Sequence, residues 1–132
     1  MISYLLVFLG AGIGGALRHG VNLGCARFCG VAFPWGTLAV NVAGSFVMGA
    51  LAAWLAFRAG EGWSEGWSQP LRLFLATGIL GGFTTFSAFS LDAVLIWERG
   101  EAGLAAAYVA ASVALSIAGL VAGLALVRAV AG

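Results

Sequence analysis

The side chains in this sequence that could do chemistry are few, and most of them carry no charge. Thr37, Asn41 and Ser45 recur every four residues, which puts them on one face of a helix. Tyr108, Ser112 and Ser116 repeat that spacing later in the chain. Hydroxyls and a carboxamide at such intervals offer small donors and acceptors along a line. Two such stripes in apolar surroundings could border a narrow polar path. The competing reading is that Ser and Thr bond back to their own helix carbonyls while small residues let helices pack. Asn41 resists it, because a carboxamide in hydrocarbon needs partners for both of its ends.

A third stretch is more unusual: Gly78-Ile79-Leu80-Gly81-Gly82-Phe83-Thr84-Thr85-Phe86-Ser87-Ala88-Phe89-Ser90. Paired glycines followed by two threonines are poor helix material. In mid-bilayer, backbone can unwind only where its freed N–H and C=O groups meet protein, an ion or water. Helices broken in this way build ion sites, with half-helix N-termini favouring anions and loosened carbonyls favouring cations. The alternative is close packing at the glycines, with the phenylalanines as filling. Arg18 and Asp92 are the charges that fall within apolar stretches, where such residues serve function or pair with each other. Cys25 and Cys29 lie one turn apart, and two thiols without further ligands make no metal site. The sequence holds no Cys/His cluster, Walker-type loop or Ser-His-Asp set, and His19 is its single histidine. An enzyme is therefore the least expected reading.

The elements that must position these groups follow from composition. Of 132 residues, 62% are hydrophobic and only 8% charged, against about 25% charged in an ordinary soluble domain. Mean hydropathy is +1.06. Six arginines against five acids leave a charge of +1, which argues against a nucleic-acid partner. Splitting the chain at its charges predicts four spans of about 20 residues or more, over 2–26, 33–57, 71–97 and 102–128. The first lacks a basic start and is too long for a removable signal peptide. The middle loop carries Gly60, Gly62, Gly66 and Pro70 with Trp63 and Trp67, the composition of an interfacial turn with aromatic anchors. The fold class expected is an all-α integral membrane domain covering 1–132, with its third helix broken near the middle. With four spans, Arg58, Arg72 and Arg128 lie on one side and Arg27 and Arg99 on the other. So weak a bias leaves two readings open: insertion in both orientations as an antiparallel homodimer, or one topology with a faint signal.

At this point the sequence resembles the CrcB/Fluc family of small fluoride channels, along almost its whole length. Gly12-Ile13-Gly14-Gly15-Ala16-Leu17-Arg18-His19 looks like the family's N-terminal glycine-arginine motif, with His19 where Tyr or Phe is more usual. Pro34-Trp35-Gly36-Thr37-Leu38-Ala39-Val40-Asn41-Val42-Ala43-Gly44-Ser45-Phe46 resembles its second-helix signature, and Gly81-Gly82-Phe83-Thr84-Thr85-Phe86-Ser87-Ala88-Phe89 its third.

The resemblance implies an antiparallel dual-topology homodimer in the bacterial inner membrane, with two fluoride pathways and passive export that relieves fluoride toxicity. It implies that Phe86 and Phe89 are the pore-lining aromatic pair and that Asn41 is the amide contacting fluoride. Tyr108, Ser112 and Ser116 become the fourth-helix lining, with Thr37, Thr85 and Ser87 adding hydroxyls to the pathway. Arg18 and Asp92 are placed at a vestibule, Asp92 standing where Glu is usual. Gly81 and Thr84 are implied to give backbone carbonyls to a central structural sodium ion, the same pair coming from each subunit. The chemistry is coherent: ring edges are electropositive, and hydroxyl and amide donors can replace water around a small, strongly hydrated anion.

Two rivals make different demands. A four-helix multidrug transporter needs a membrane-embedded acid in its first helix, and the only charge between Met1 and Arg27 is Arg18. A membrane scaffold whose glycines merely pack helices predicts that Asn41→Ala and Phe86→Ile change no transport.

Overall fold

The apolar stretches fold into four helices long and apolar enough to cross a membrane, and the chain is a multi-pass membrane protein. The structure, a computed structural model, describes residues 1–61 and 65–132, without the side chains of residues 60 and 65–67. The expected aromatic anchors of the middle loop fall outside these bounds, Trp63 entirely and Trp67 in its side chain. Helix α1 spans Ile2–Cys29 and α2 spans Trp35–Gly60. The third crossing, Ser68–Glu98, is composite. It joins α3 (Glu65–Arg72), a π-helical run over Leu73–Leu80, a single turn α4 (Gly81–Phe83) and α5 (Phe86–Glu98). Helix α6 covers Ala102–Ala131.

Glycines end two of the helices. Gly30 and Gly100 adopt φ of 79° and 83°, the left-handed region that costs an L side chain energy. The Gly30 N–H donates to Ala26 O at 3.2 Å and the Gly100 N–H to Trp97 O at 3.0 Å. Arg99, beside the second turn, donates from Nη2 to Ala32 O at 3.0 Å and pairs with Glu101 at 3.6 Å. The α1–α2 and α5–α6 connections therefore lie at one end of the bundle and are tied together.

In lipid, helix association rests on close backbone approach more than on apolar burial, and the glycines supply it. A Cβ on Gly10 would lie 2.6 Å from Phe74 O and 2.8 Å from the Cα of Gly78, and one on Gly14 would overlap Ile79 O. On the other side of the bundle, a Cβ on Gly49 would overlap Leu120 O, and one on Gly123 would overlap Phe46 O. These contacts seat α1 against the π-helical run and α2 against α6. Gly81 keeps helical backbone, with φ −62° and ψ −37°. Extended backbone falls instead on Thr84 (ψ 157°) and Thr85 (φ −153°, ψ 118°), between α4 and α5.

A small core joins α5 to α6: Phe89, Ile96, Ala105 and the fully buried Tyr108. Many large apolar side chains, such as Phe8, Ile117 and Val130, are exposed, as expected of surfaces that face lipid or another chain.

Candidate anion groove

Asn41 sits about two turns into α2, and its carboxamide reads the peptide of Thr85 on both sides. Nδ2 donates to Thr85 O at 3.0 Å, and Oδ1 accepts from the Thr85 N–H at 2.8 Å. Both ends of the amide are thus satisfied, and one hydrogen on Nδ2 remains available. The Thr85 hydroxyl then caps α5: Oγ1 accepts from the Ala88 N–H at 3.1 Å and lies 3.3 Å from Ser87 Oγ. A β-region threonine whose oxygen accepts from the third helical residue is the preferred start of a helix. Thr84 turns its hydroxyl back to Leu80 O at 2.9 Å.

These bonds also redirect two N–H groups. In a continuous α-helix the Thr85 N–H would close onto Gly81 O and the Ala88 N–H onto Thr84 O. Here side-chain oxygens take both donors. The carbonyls of Gly81 and Thr84, named from sequence as cation ligands, lose their helical partners in this exchange, as those of Gly82 and Phe83 do at the same break. Backbone oxygens suit a hard monovalent cation, so the donor set fits sodium.

Beside the Asn41–Thr85 pair runs a groove of about 380 Å³, lined by Asn41, Ser45, Thr84, Thr85, Phe86, Phe89, Ser112 and Ser116, with Gly44, Met48, Val113, Ile117 and Leu120 as apolar wall. The lining contains no charged side chain. Phe86 is 78% exposed while Phe89 is buried; their ring centroids are 5.4 Å apart with planes at 57°. Ser112 is buried, and its Oγ has no hydrogen-bond partner among the described residues.

The aromatic wall continues beyond the groove. Phe89 meets Tyr108 at 5.3 Å, and Tyr108 meets Phe33 at 5.4 Å in an edge-to-face pair at 88°. Phe33 in turn lies 4.5 Å from Trp35. The Tyr108 hydroxyl donates to Asp92 Oδ2 at 3.3 Å, with the Thr37 and Ser112 hydroxyls beside it. Thr37 therefore belongs to the Tyr108 cluster rather than to the groove itself.

A second hollow, about 470 Å³, opens on the far side of Thr85, lined by Gly15, Arg18, His19, Asn22, Thr85, Ser87, Ala88 and Leu91. Arg18 and Ser87 lie here, and Thr85 borders both spaces. Asp92 does not join Arg18: it bonds Tyr108 instead, and the ion pairs among the described residues are Arg58–Glu61 and Arg99–Glu101. Cys25 and Cys29 are free thiols.

The structure thus gathers Asn41, Thr85, Phe86, Phe89, Ser112 and Ser116 around one groove, with Tyr108 and Thr37 at its end and Arg18 and Ser87 across Thr85. Sequence reasoning missed Phe33, which lies in a connection outside any helical stripe. Its aromatic neighbour Trp35 was the only available hint. Met48 was also missed, its one signal being that it shares α2 with Asn41 and Ser45, and Gly44 was noted only as part of the second-helix motif.

Residues 5–124 match the family described as CrcB-like protein, Camphor Resistance (CrcB). The chain is 58% identical over 127 residues to "Fluoride-specific ion channel FluC 2" of Nitrobacter hamburgensis, covering 96% of this chain and 98% of that protein. It is 59% identical over 129 residues to "Fluoride-specific ion channel FluC" of Rhodopseudomonas palustris (strain BisB5), covering 98% and 99%. The corresponding protein of Granulibacter bethesdensis is 55% identical over 130 residues, covering 98% of each chain. The chain belongs to the CrcB-like family.

Proposed function

We propose that this member of the CrcB-like family is a fluoride-selective channel, and not an enzyme, through which fluoride leaves the cell passively. The observation that carries the reading is the uncharged groove in which Asn41, Ser112 and Ser116 face the Phe86–Phe89 pair. The names of its relatives agree with it.

Fluoride holds its water tightly, so a pathway must offer donors in place of that water. The spare Nδ2 hydrogen of Asn41 and the unpaired hydroxyl of Ser112 are such donors. Phenylalanine edges carry partial positive charge and can approach an anion without trapping it. Repeated weak sites let an ion enter and leave, whereas a full positive charge in the groove would hold it. Arg18, in the hollow that Thr85 also borders, attracts anions toward the pathway without lying in it.

The finer features belong to the same reading. Two copies pair in opposite orientations in the bacterial inner membrane, giving two pathways per homodimer, with Phe86 exposed on the single chain for that purpose. Gly81 and Thr84 carbonyls from both copies hold a sodium ion, which supplies a fixed positive charge that satisfies them and joins the subunits. It is structural and does not move with fluoride.

Fluoride efflux from liposomes holding the purified protein tests the reading, with valinomycin balancing charge and chloride as comparison. The expected result is rapid fluoride loss without chloride loss, abolished by Phe86→Ile. Well-folded protein that releases no fluoride overturns it and restores the scaffold reading.

A further inference from the structure

We infer that Phe33 is a positioning residue of the fluoride pathway, held over Tyr108 by a latch between Arg99 and Ala32. The inference rests on the channel reading above and adds a residue outside the helical stripes. Three observations converge on it. Phe33 stands perpendicular to Tyr108 at 5.4 Å, the edge-to-face geometry aromatic pairs prefer. Tyr108 is 0% exposed, fixed from the other side by Phe89 at 5.3 Å and at its hydroxyl by Asp92. Ala32, the residue before Phe33, is held by Arg99 Nη2 at 3.0 Å from the turn that precedes α6.

The chemistry explains why a connection needs such a latch. Residues 31–34 lie outside any helix, so backbone hydrogen bonds of a helix cannot fix the Phe33 ring. A guanidinium hydrogen bond from a turn distant in sequence supplies the restraint, and Glu101 lies 3.6 Å from that guanidinium. With Phe33 in place, the Tyr108 ring has aromatic neighbours on two sides, and its hydroxyl stays beside Thr37 and Ser112. Without it, Tyr108 can turn toward the space that Phe33 vacates and remove its hydroxyl from the end of the groove.

The test is fluoride efflux from liposomes for Phe33→Leu, Phe33→Tyr, Tyr108→Phe and the Phe33→Leu/Tyr108→Phe double variant. Phe33→Leu is expected to slow efflux by roughly three- to tenfold, the range of one aromatic pair, while Phe33→Tyr keeps close to the wild-type rate. Because Phe33 acts through Tyr108, the double variant is expected to be no slower than the slower single variant. A wild-type rate for Phe33→Leu, or single effects that multiply in the double variant, overturns the inference while leaving the channel reading intact. Absence of fluoride efflux from the wild type overturns the channel reading first. If Phe33→Leu does not yield monodisperse protein, Arg99→Gln, which leaves the ring and releases its connection, must slow efflux; a wild-type rate there overturns the latch.

Discussion

Asn41 and Thr85, 44 residues apart in sequence, form a closed two-bond pair in which one side-chain amide takes both polar groups of one residue's backbone. The pair substitutes for helix hydrogen bonds at the place where the third crossing is extended. Asn41 therefore has a structural task before any contact with an anion.

Removing that amide is expected to be costly. Asn41→Ala leaves the Thr85 N–H and C=O without partners, a loss of about 2 kcal/mol. Thermal unfolding of the detergent-solubilised protein should show it as a lowered midpoint, and fluoride efflux should fall with it. An unchanged midpoint would mean that water replaces the amide.

Ser112 separates the two kinds of role. Its buried hydroxyl has no partner among the described residues, so Ser112→Ala should leave stability unchanged or slightly raised. Efflux should nevertheless drop roughly ten- to hundredfold, because a hydrogen bond to a charged partner is worth about 1.5–3 kcal/mol. Full efflux from Ser112→Ala would remove this hydroxyl from the pathway.

Thr85 is expected to tolerate serine and not valine. Thr85→Ser keeps the oxygen that caps α5, whereas Thr85→Val loses it at a cost of about 1 kcal/mol. Equal unfolding midpoints for the two variants would show that the cap contributes nothing.

The glycines divide by their surroundings. Gly49→Ala drives a methyl into Leu120 O and should destabilise by about 1–3 kcal/mol. Gly103 has nothing within 4 Å of an added Cβ, so Gly103→Ala should be neutral or stabilise by up to about 1 kcal/mol. Size-exclusion profiles and unfolding midpoints compare them directly.

Sodium binding, if the Gly81 and Thr84 carbonyls provide it, links ion concentration to stability. Exchange of purified protein into sodium-free N-methylglucamine buffer should lower the unfolding midpoint, and returning sodium should restore it. A midpoint indifferent to sodium would count against the site.

The four crossings were legible because charges are so scarce that they punctuate the chain. The helices nonetheless run past several of those charges: α1 continues through Arg27, and α6 through Arg128. Arginine can reach the membrane interface from inside a helix, so charge marks the span's edge without ending the helix. The stripes of α2 and α6 found Asn41, Ser112 and Ser116 because helical periodicity is local. What stayed hidden is non-local. Nothing in the spacing says that Asn41 bonds the backbone of Thr85, that Tyr108 rather than Arg18 receives Asp92, or that Phe33 reaches Tyr108. The glycine run was read as a place for backbone to unwind or for helices to pack. Gly78 and Gly82 pack against α1, while the extended conformation belongs to the threonines that follow.

The π-helical run at Leu73–Leu80 has a consequence for phase. Its i→i+5 bonds advance the chain around the axis by less per residue than the about 100° of an α-helix. The azimuth at which Phe86 and Phe89 emerge thus depends on how many residues precede them. One residue lost from that run can be absorbed by its rewinding as α-helix, with both rings near their present azimuth. One residue lost from an α-helical stretch before them would instead swing both rings toward a different face, with every groove-lining side chain still present. The aromatic pair is addressed by a count as well as by a motif.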